Sequence, residues 1–296
     1  MPRFGRVLTA MVTPFDAAGD LDIDVAVELA QWLVGQGNEG LVVAGTTGES
    51  PALSVDEKLT LFEAVAAAVT VPVIAGTTGS NTRADAALTA QASSLGVAGI
   101  LAVCPYYNRP SQAGLAAHFT AIAEHTDLPV VLYDIPIRTG RKIESSTILQ
   151  LAREVPNIVG LKDAAKNPAA TASVVADSPD DFEVYSGDGS MTLPLLAVGA
   201  VGVIGVSTHW CASDQVEMFD AWDRNDAAAA QRINARQLES YAFESGDAAP
   251  NPVPSKAMLR TLGIAVGECR LPMGPEPAGL EDEARNVHSR LVAARG

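Results

Sequence analysis

Short, unbroken apolar runs alternate along the chain with stretches whose apolar residues recur every three or four positions. The runs cover residues 7–12, 40–44, 71–75, 99–104, 129–133, 157–161, 182–185 and 202–206. Apolar runs of this length, without polar alternation, predict strands covered on both faces, as in a parallel sheet. Between them, 22–35 places Ile23, Val27, Ala30 and Leu33 on one helical face. Residues 54–68 open with Ser-Val-Asp-Glu, a capping-box pattern, and align Leu61, Val65 and Ala68. Residues 82–95, 113–125 and 145–154 repeat that design, and 171–176, 191–198 and 213–222 are shorter or weaker helix candidates. Eight strands, each followed by a helix, predict a (β/α)8 barrel. A doubly wound open sheet shares the alternation, but the count of eight favours closure. After Trp222 the strand signal ends, and 226–244, 254–262 and 280–294 predict helices. The expected organisation is a barrel over residues 1–224 and a C-terminal helical extension over 225–296, with 274–279 as a turn between helices.

Composition narrows this picture. The 296 residues are 48% hydrophobic and 19% charged, which excludes a disordered chain. One barrel takes ~250 residues, so the length fits a barrel with an appendage. No apolar run reaches the ~20 residues that span a bilayer. The start, Met1-Pro2-Arg3-Phe4-Gly5-Arg6, lacks the continuous apolar core and cleavage site of a signal peptide. A soluble cytoplasmic protein with no membrane partner is expected. The formal charge is −15 and no basic patch occurs, so no nucleic-acid partner is expected. An acidic surface repels anions, and any pocket for an acid then needs local positive charge. Cys104, Cys211 and Cys269 show no CxxC spacing, so neither a disulfide framework nor a metal site is expected.

In a barrel the chemistry sits where strands end and loops begin. The second strand ends in Gly45-Thr46-Thr47-Gly48-Glu49-Ser50, a cradle for a carboxylate or phosphate, or an ordinary glycine-rich turn. The third ends in the similar Gly76-Thr77-Thr78-Gly79-Ser80-Asn81. The fourth ends in Pro105-Tyr106-Tyr107-Asn108, whose adjacent tyrosines point opposite ways. The fifth ends in Tyr133-Asp134-Ile135-Pro136-Ile137-Arg138. A phenol there can move a proton, and a guanidinium can grip a carboxylate with two parallel hydrogen bonds. Taken singly, Tyr133 reads as packing and Arg138 as a surface ion pair; their joint placement favours function.

The sixth strand is the most informative, because Lys162 directly follows Ile158-Val159-Gly160-Leu161. Burial lowers a lysine pKa and frees a neutral amine for Schiff-base chemistry with a carbonyl compound. The alternative is a Lys162–Asp163 pair on the surface. The chain has only five lysines. Lys58 sits in an acidic helix, Lys142 and Lys166 lie in loops, and Lys256 lies outside the barrel repeat. The seventh strand ends in Ser186-Gly187-Asp188 and the eighth in Ser207-Thr208-His209. His209 is open to a general-base or a packing role.

These motifs, together with Thr9-Ala10-Met11-Val12-Thr13-Pro14-Phe15, Gly160-Leu161-Lys162-Asp163 and Asn251-Pro252-Val253-Pro254, are spread along essentially the whole chain. In combination they resemble the dihydrodipicolinate synthase family of the pyruvate-dependent class I aldolase superfamily. The resemblance implies condensation of pyruvate with L-aspartate 4-semialdehyde in lysine and diaminopimelate biosynthesis. It implies that Lys162 forms the imine with pyruvate and that no separate cofactor is used. Tyr133 would be the general acid/base, with Thr47 and Tyr107 relaying its proton. Thr46 and Thr47 would bind the pyruvate carboxylate, Arg138 the aldehyde's carboxylate, and Gly187 and Ile204 would line the pocket. A homotetramer, a dimer of dimers with Tyr107 working across an interface, is implied as well. Asp134 stands where asparagine is more usual, and Asp163 where glutamate is common. Members inhibited by lysine often carry histidines near Val55 and Lys58, which this chain lacks. A lyase releasing pyruvate from a 2-keto-3-deoxy sugar acid and a non-catalytic ligand-binding barrel are the alternative readings; Arg138 suits a short substrate ending in a carboxylate.

Overall fold

The computed structural model describes residues 1–295. Strands and helices alternate as β1 Val7–Ala10, α1 Ile23–Gly35, β2 Gly40–Val43, α2 Val55–Ala68, β3 Val73–Gly76, α3 Thr82–Ala92, β4 Gly99–Val103 and α4 Gln112–Ala123. The second half runs β5 Val130–Asp134, α5 Pro136–Thr139, α6 Ser145–Glu154, β6 Ile158–Asp163, α7 Pro168–Asp177, β7 Glu183–Ser186, α8 Thr192–Leu196, β8 Gly202–Gly205 and α9 Thr208–Asp223. Four helices follow: α10 Ala227–Arg236, α11 Leu238–Phe243, α12 Val253–Thr261 and α13 Leu280–Ala293. The strands pair in parallel in chain order, and β8 closes on β1 through Val7↔Val203 and Leu8↔Ile204. The expected closed (β/α)8 barrel with C-terminal helices is the fold.

The strands are mostly apolar because both their faces are covered, and the polar residues of β5, β6 and β7 fall mainly at their ends. Leu8, Ala10, Val42, Ile74, Leu101, Val131 and Ile204 fill the barrel interior, while Leu41, Val43, Ala75, Ile100 and Leu132 pack outward under the helices. Phe4 joins the interior layer, and a Cβ at Gly99 would fall 2.8 Å from its ring, so glycine is required there. The capping box at Ser54 is formed, with Glu57 closing it. Among the described residues no helix is long and apolar enough to cross a membrane.

Three local expectations are corrected. The weak helix candidate over 213–222 is the 16-residue α9. Its buried face includes His209, Asp214 and Gln215, and these polar residues break the apolar period. The single helix over 226–244 is two, α10 and α11, parted at Gln237. The Gln237 side chain is itself buried, donating to the Ile233 carbonyl at 3.1 Å. The loop after β5 contains α5, started by Pro136 and ended by Gly140 at φ +67°. Proline presets the first turn, and glycine takes the left-handed position without a Cβ clash.

Candidate active site

At the C-terminal end of the barrel, the loops after β2, β5, β6, β7 and β8 enclose a cavity of about 490 Å³. Thr46, Thr47, Tyr133, Arg138, Lys162 and Gly187 all line it. Lys162 ends up here because β6 pairs between β5 and β7, setting it beside Tyr133 and Tyr185. It is 3% exposed. Burial pulls its pKa down from 10.5 to about 7, with Glu244 opposing the fall and Arg138 adding to it. The Nζ lies 4.3 Å from the centre of the Tyr133 ring, a contact that favours the ammonium form but does not offset the loss of water. A sizeable neutral-amine fraction therefore exists near pH 7. A Cβ at Gly187 would come within 3.0 Å of Lys162 Cγ, so glycine makes room for the lysine stem.

Burial also pushes the Tyr133 phenol up to about 12, against the pull of Arg138 and a hydrogen bond from Thr46. Tyr133 therefore stands protonated and able to donate. Arg138 is carried on α5, and its Nη2 donates to the Asn251 carbonyl at 3.3 Å. The threonine loop is fixed from below. The Thr13 hydroxyl donates to the Gly48 carbonyl at 2.6 Å, and Glu49 closes the loop at φ +54°. The Glu49 carboxylate accepts from the Arg270 N–H at 2.8 Å and pairs with Lys256 Nζ at 2.7 Å. From above, Asn251 Nδ2 donates to Thr47 Oγ1 at 3.0 Å.

Two of the anticipated site residues lie outside this cavity. Tyr107 is 95% exposed on a left-handed backbone at φ +73°. The Ile204 side chain is buried in the barrel interior, and Val206 lines the cavity from that side. An adjoining cavity of about 190 Å³ shares Thr46, Tyr133 and Arg138 and extends to Thr78 and Tyr106. His209 has no base role. Its Nε2 accepts from the Val12 N–H at 3.2 Å, its Nδ1 faces the Val206 carbonyl at 2.7 Å, and burial pulls its pKa down to about 4.

The C-terminal part of the chain supplies two groups that were not assigned from the sequence, Glu244 and Asn251. Asn251 lay in a recognisable motif. Nothing local marked Glu244, whose burial comes from a contact with Ser207, 37 residues away.

A closed barrel with a buried lysine in its mouth, without an ion-pair partner among the described residues, fits the class of lyases. A model of the dihydrodipicolinate synthetase family matches residues 3–294. The chain is 48% identical over 274 residues to 4-hydroxy-tetrahydrodipicolinate synthase 2 of Halalkalibacterium halodurans, covering 92% of this chain and 93% of that protein. It is 42% identical over 291 residues to the 4-hydroxy-tetrahydrodipicolinate synthase of Bacillus subtilis, covering 98% and 99%. A crystal structure of a dihydrodipicolinate synthase from Bacillus anthracis superposes with a TM-score of 0.94 at 40% identity, covering 98% and 99%. The chain belongs to the dihydrodipicolinate synthetase family and is an enzyme.

Proposed function

We propose that the enzyme condenses pyruvate with L-aspartate 4-semialdehyde through an imine on Lys162, giving 4-hydroxy-tetrahydrodipicolinate for lysine and diaminopimelate biosynthesis. The observation that carries this reading is the shared cavity. It holds a lysine titrating near neutrality, a protonated phenol, paired threonines and an arginine with no carboxylate partner among the described residues. Neutral Lys162 adds to the pyruvate ketone and water leaves. The protonated imine draws electrons from the methyl group, a proton departs, and the enamine attacks the aldehyde. Tyr133 moves these protons, with Thr47 and Tyr107 of the partner subunit as its relay. Thr46 and Thr47 hold the pyruvate carboxylate and Arg138 that of the aldehyde. The backbone of Gly187 and Ile204 walls the pocket. The imine is the sole covalent device, so the scheme needs no cofactor or metal.

Tyr107 supports a homotetramer built as a dimer of dimers. A large aromatic held exposed on strained backbone is suited to a neighbouring subunit rather than to its own. The catalytic barrel over residues 1–224 then works with the helical extension over 225–296, in the cytoplasm.

Borohydride reduction with pyruvate, followed by peptide mass spectrometry, tests the reading. The expected result is a reduced pyruvate adduct on Lys162. An unmodified Lys162 overturns it. Turnover with 2-keto-3-deoxy sugar acids in place of the semialdehyde would overturn the choice of substrate alone.

A further inference from the structure

The aldehyde proposed above is an α-amino acid, and its ammonium needs a place as much as its carboxylate does. That group is largely protonated at neutral pH. It must lose a proton before its nitrogen can attack the imine carbon, close the ring and free the lysine. None of Lys162, Tyr133, Thr46, Thr47 or Arg138 is an anion that can receive it.

Most carboxylates near the mouth are already engaged. Asp134 pairs with Lys142 at 2.8 Å and accepts from the Ile143 N–H at 3.0 Å. Asp163 accepts from the Ala165 N–H at 2.8 Å and the Thr171 hydroxyl at 2.7 Å. Asp188 pairs with Lys166 at 2.8 Å and accepts from the Ser190 N–H at 3.0 Å. Asp247 is exposed to solvent. Asp188 and Asp247 line the cavity too, but Glu244 differs in being buried there with no ion-pair partner among the described residues. It is buried, it lines the same cavity as Lys162 and Arg138, and one of its oxygens is held by the Ser207 N–H at 2.8 Å. Its charge acts on Lys162, and its own burial lifts its pKa to about 7, suiting it to accept a proton and give it back.

We propose that Glu244 receives the α-ammonium of the aldehyde substrate and takes its proton, so that the freed amine closes the ring and releases Lys162. The inference rests on the reaction proposed above. Arg138 and Glu244 then form a cation and anion pair of sites for one amino-acid head group. The ammonium gives one proton to the Glu244 carboxylate. The freed nitrogen adds its electron pair to C2 of the protonated imine, forming the ring N–C2 bond. A proton passes from that nitrogen to Nζ, the C2–Nζ bond breaks, and its electron pair leaves with Lys162 as a neutral amine. The cyclic imine keeps one proton on nitrogen, which balances the charge, and the Glu244 proton passes to water.

Glu244→Gln separates this role from a structural one, because glutamine still offers the Ser207 N–H an acceptor oxygen. With L-aspartate 4-semialdehyde, turnover should fall on the order of a hundredfold, and borohydride should trap the two-substrate adduct on Lys162. With succinic semialdehyde, the same aldehyde without the amino group, trapping of the condensed adduct should fall by no more than about threefold, since no amine is to be deprotonated. Equal losses with both aldehydes, or turnover with the amino-aldehyde within about threefold of the unaltered enzyme, overturn the proposal. If Glu244→Gln does not fold, Glu244→Asp must show the same selective loss to a smaller degree; an unselective loss overturns it too. If the unaltered protein forms no pyruvate adduct on Lys162 or leaves the semialdehyde unconsumed, the reaction itself is misread and the role of Glu244 goes with it.

Discussion

Two lysines are buried in this enzyme, and they are held in opposite ways. Lys162 is 3% exposed and Lys256 is 1% exposed. Each sits over an aromatic ring, Lys162 over Tyr133 at 4.3 Å and Lys256 over Phe15 at 4.2 Å. Burial pulls the pKa of both down. The difference lies in their partners. Lys256 pairs with Glu49 at 2.7 Å and donates to the Glu268 carbonyl at 2.9 Å, in a small, tightly lined space. Lys162 has no carboxylate within ion-pairing distance among the described residues, and it opens onto the large cavity. Burial alone therefore does not make a nucleophile. A buried amine is available for chemistry when its compensation is left for a substrate, and it is structural when a carboxylate supplies that compensation.

The largest effect expected from this contrast is at the structural lysine. Lys256→Met leaves Glu49 buried without its cation and should cost about 3–5 kcal/mol of unfolding free energy. Denaturant titration reads this directly. Adding Glu49→Gln to Lys256→Met should recover part of the loss, because the uncompensated charge is then gone. A single variant as stable as the unaltered enzyme would dissolve the distinction between the two lysines.

Asn251 tests where the structural region meets the chemistry. It lies five positions before Lys256, yet its amide reaches Thr47 Oγ1 and its carbonyl receives Arg138. Asn251→Ala should leave the Glu49–Lys256 pair intact. It should lower kcat on the order of tenfold, the worth of about one hydrogen bond to a positioned group. Steady-state kinetics beside a thermal melt separates the outcomes. Stability lost in proportion to activity would place Asn251 with Lys256 and not with Thr47.

The sequence made one of these lysines visible and hid the other for a physical reason. Lys162 stands out because it terminates an apolar strand, and strand burial is a local property of the run around it. Lys256 sits on a helix whose polar residues are buried by tertiary contacts. Its partner Glu49 lies 207 positions away and belongs to the threonine loop. The same rule covers the rest of the fold. The eight strands were legible because both their faces are apolar. The extent of α9 and the break at Gln237 were not, because buried hydrogen bonds among Gln215, Gln237 and Tyr241 replace apolar periodicity there. In the site, Thr46, Thr47, Arg138 and Gly187 follow strands, Tyr133 lies on one, and all could be placed by counting. Glu244 caps the end of α11 and Asn251 lies in the segment before α12, and no strand count reaches them.

The smallest expected effect is also the most discriminating, because its sign is opposite for the two lysines. Lys162→Met removes the amine and with it all turnover, yet it should stabilise the fold. The folded pKa of Lys162 is about 7, below the 10.5 of an unburied lysine. Between these values the unfolded chain binds the extra proton, so the stability contributed at this position is present above 10.5 and is lost as pH falls through 7. Below pH 7 the folded enzyme carries a buried ammonium, and that cost is what methionine removes. At pH 9 the gain should be about 1 kcal/mol, in the range seen when a strained active-site group is replaced. It should be larger at pH 6 than at pH 9, because the unaltered enzyme gains stability as pH rises above 7, while the unfolded chain keeps its proton up to 10.5. Denaturation midpoints of the two proteins, compared at both pH values, give the answer as a difference of differences. A Lys162→Met variant less stable at pH 6 would mean that the lysine is compensated after all, and that it belongs with Lys256.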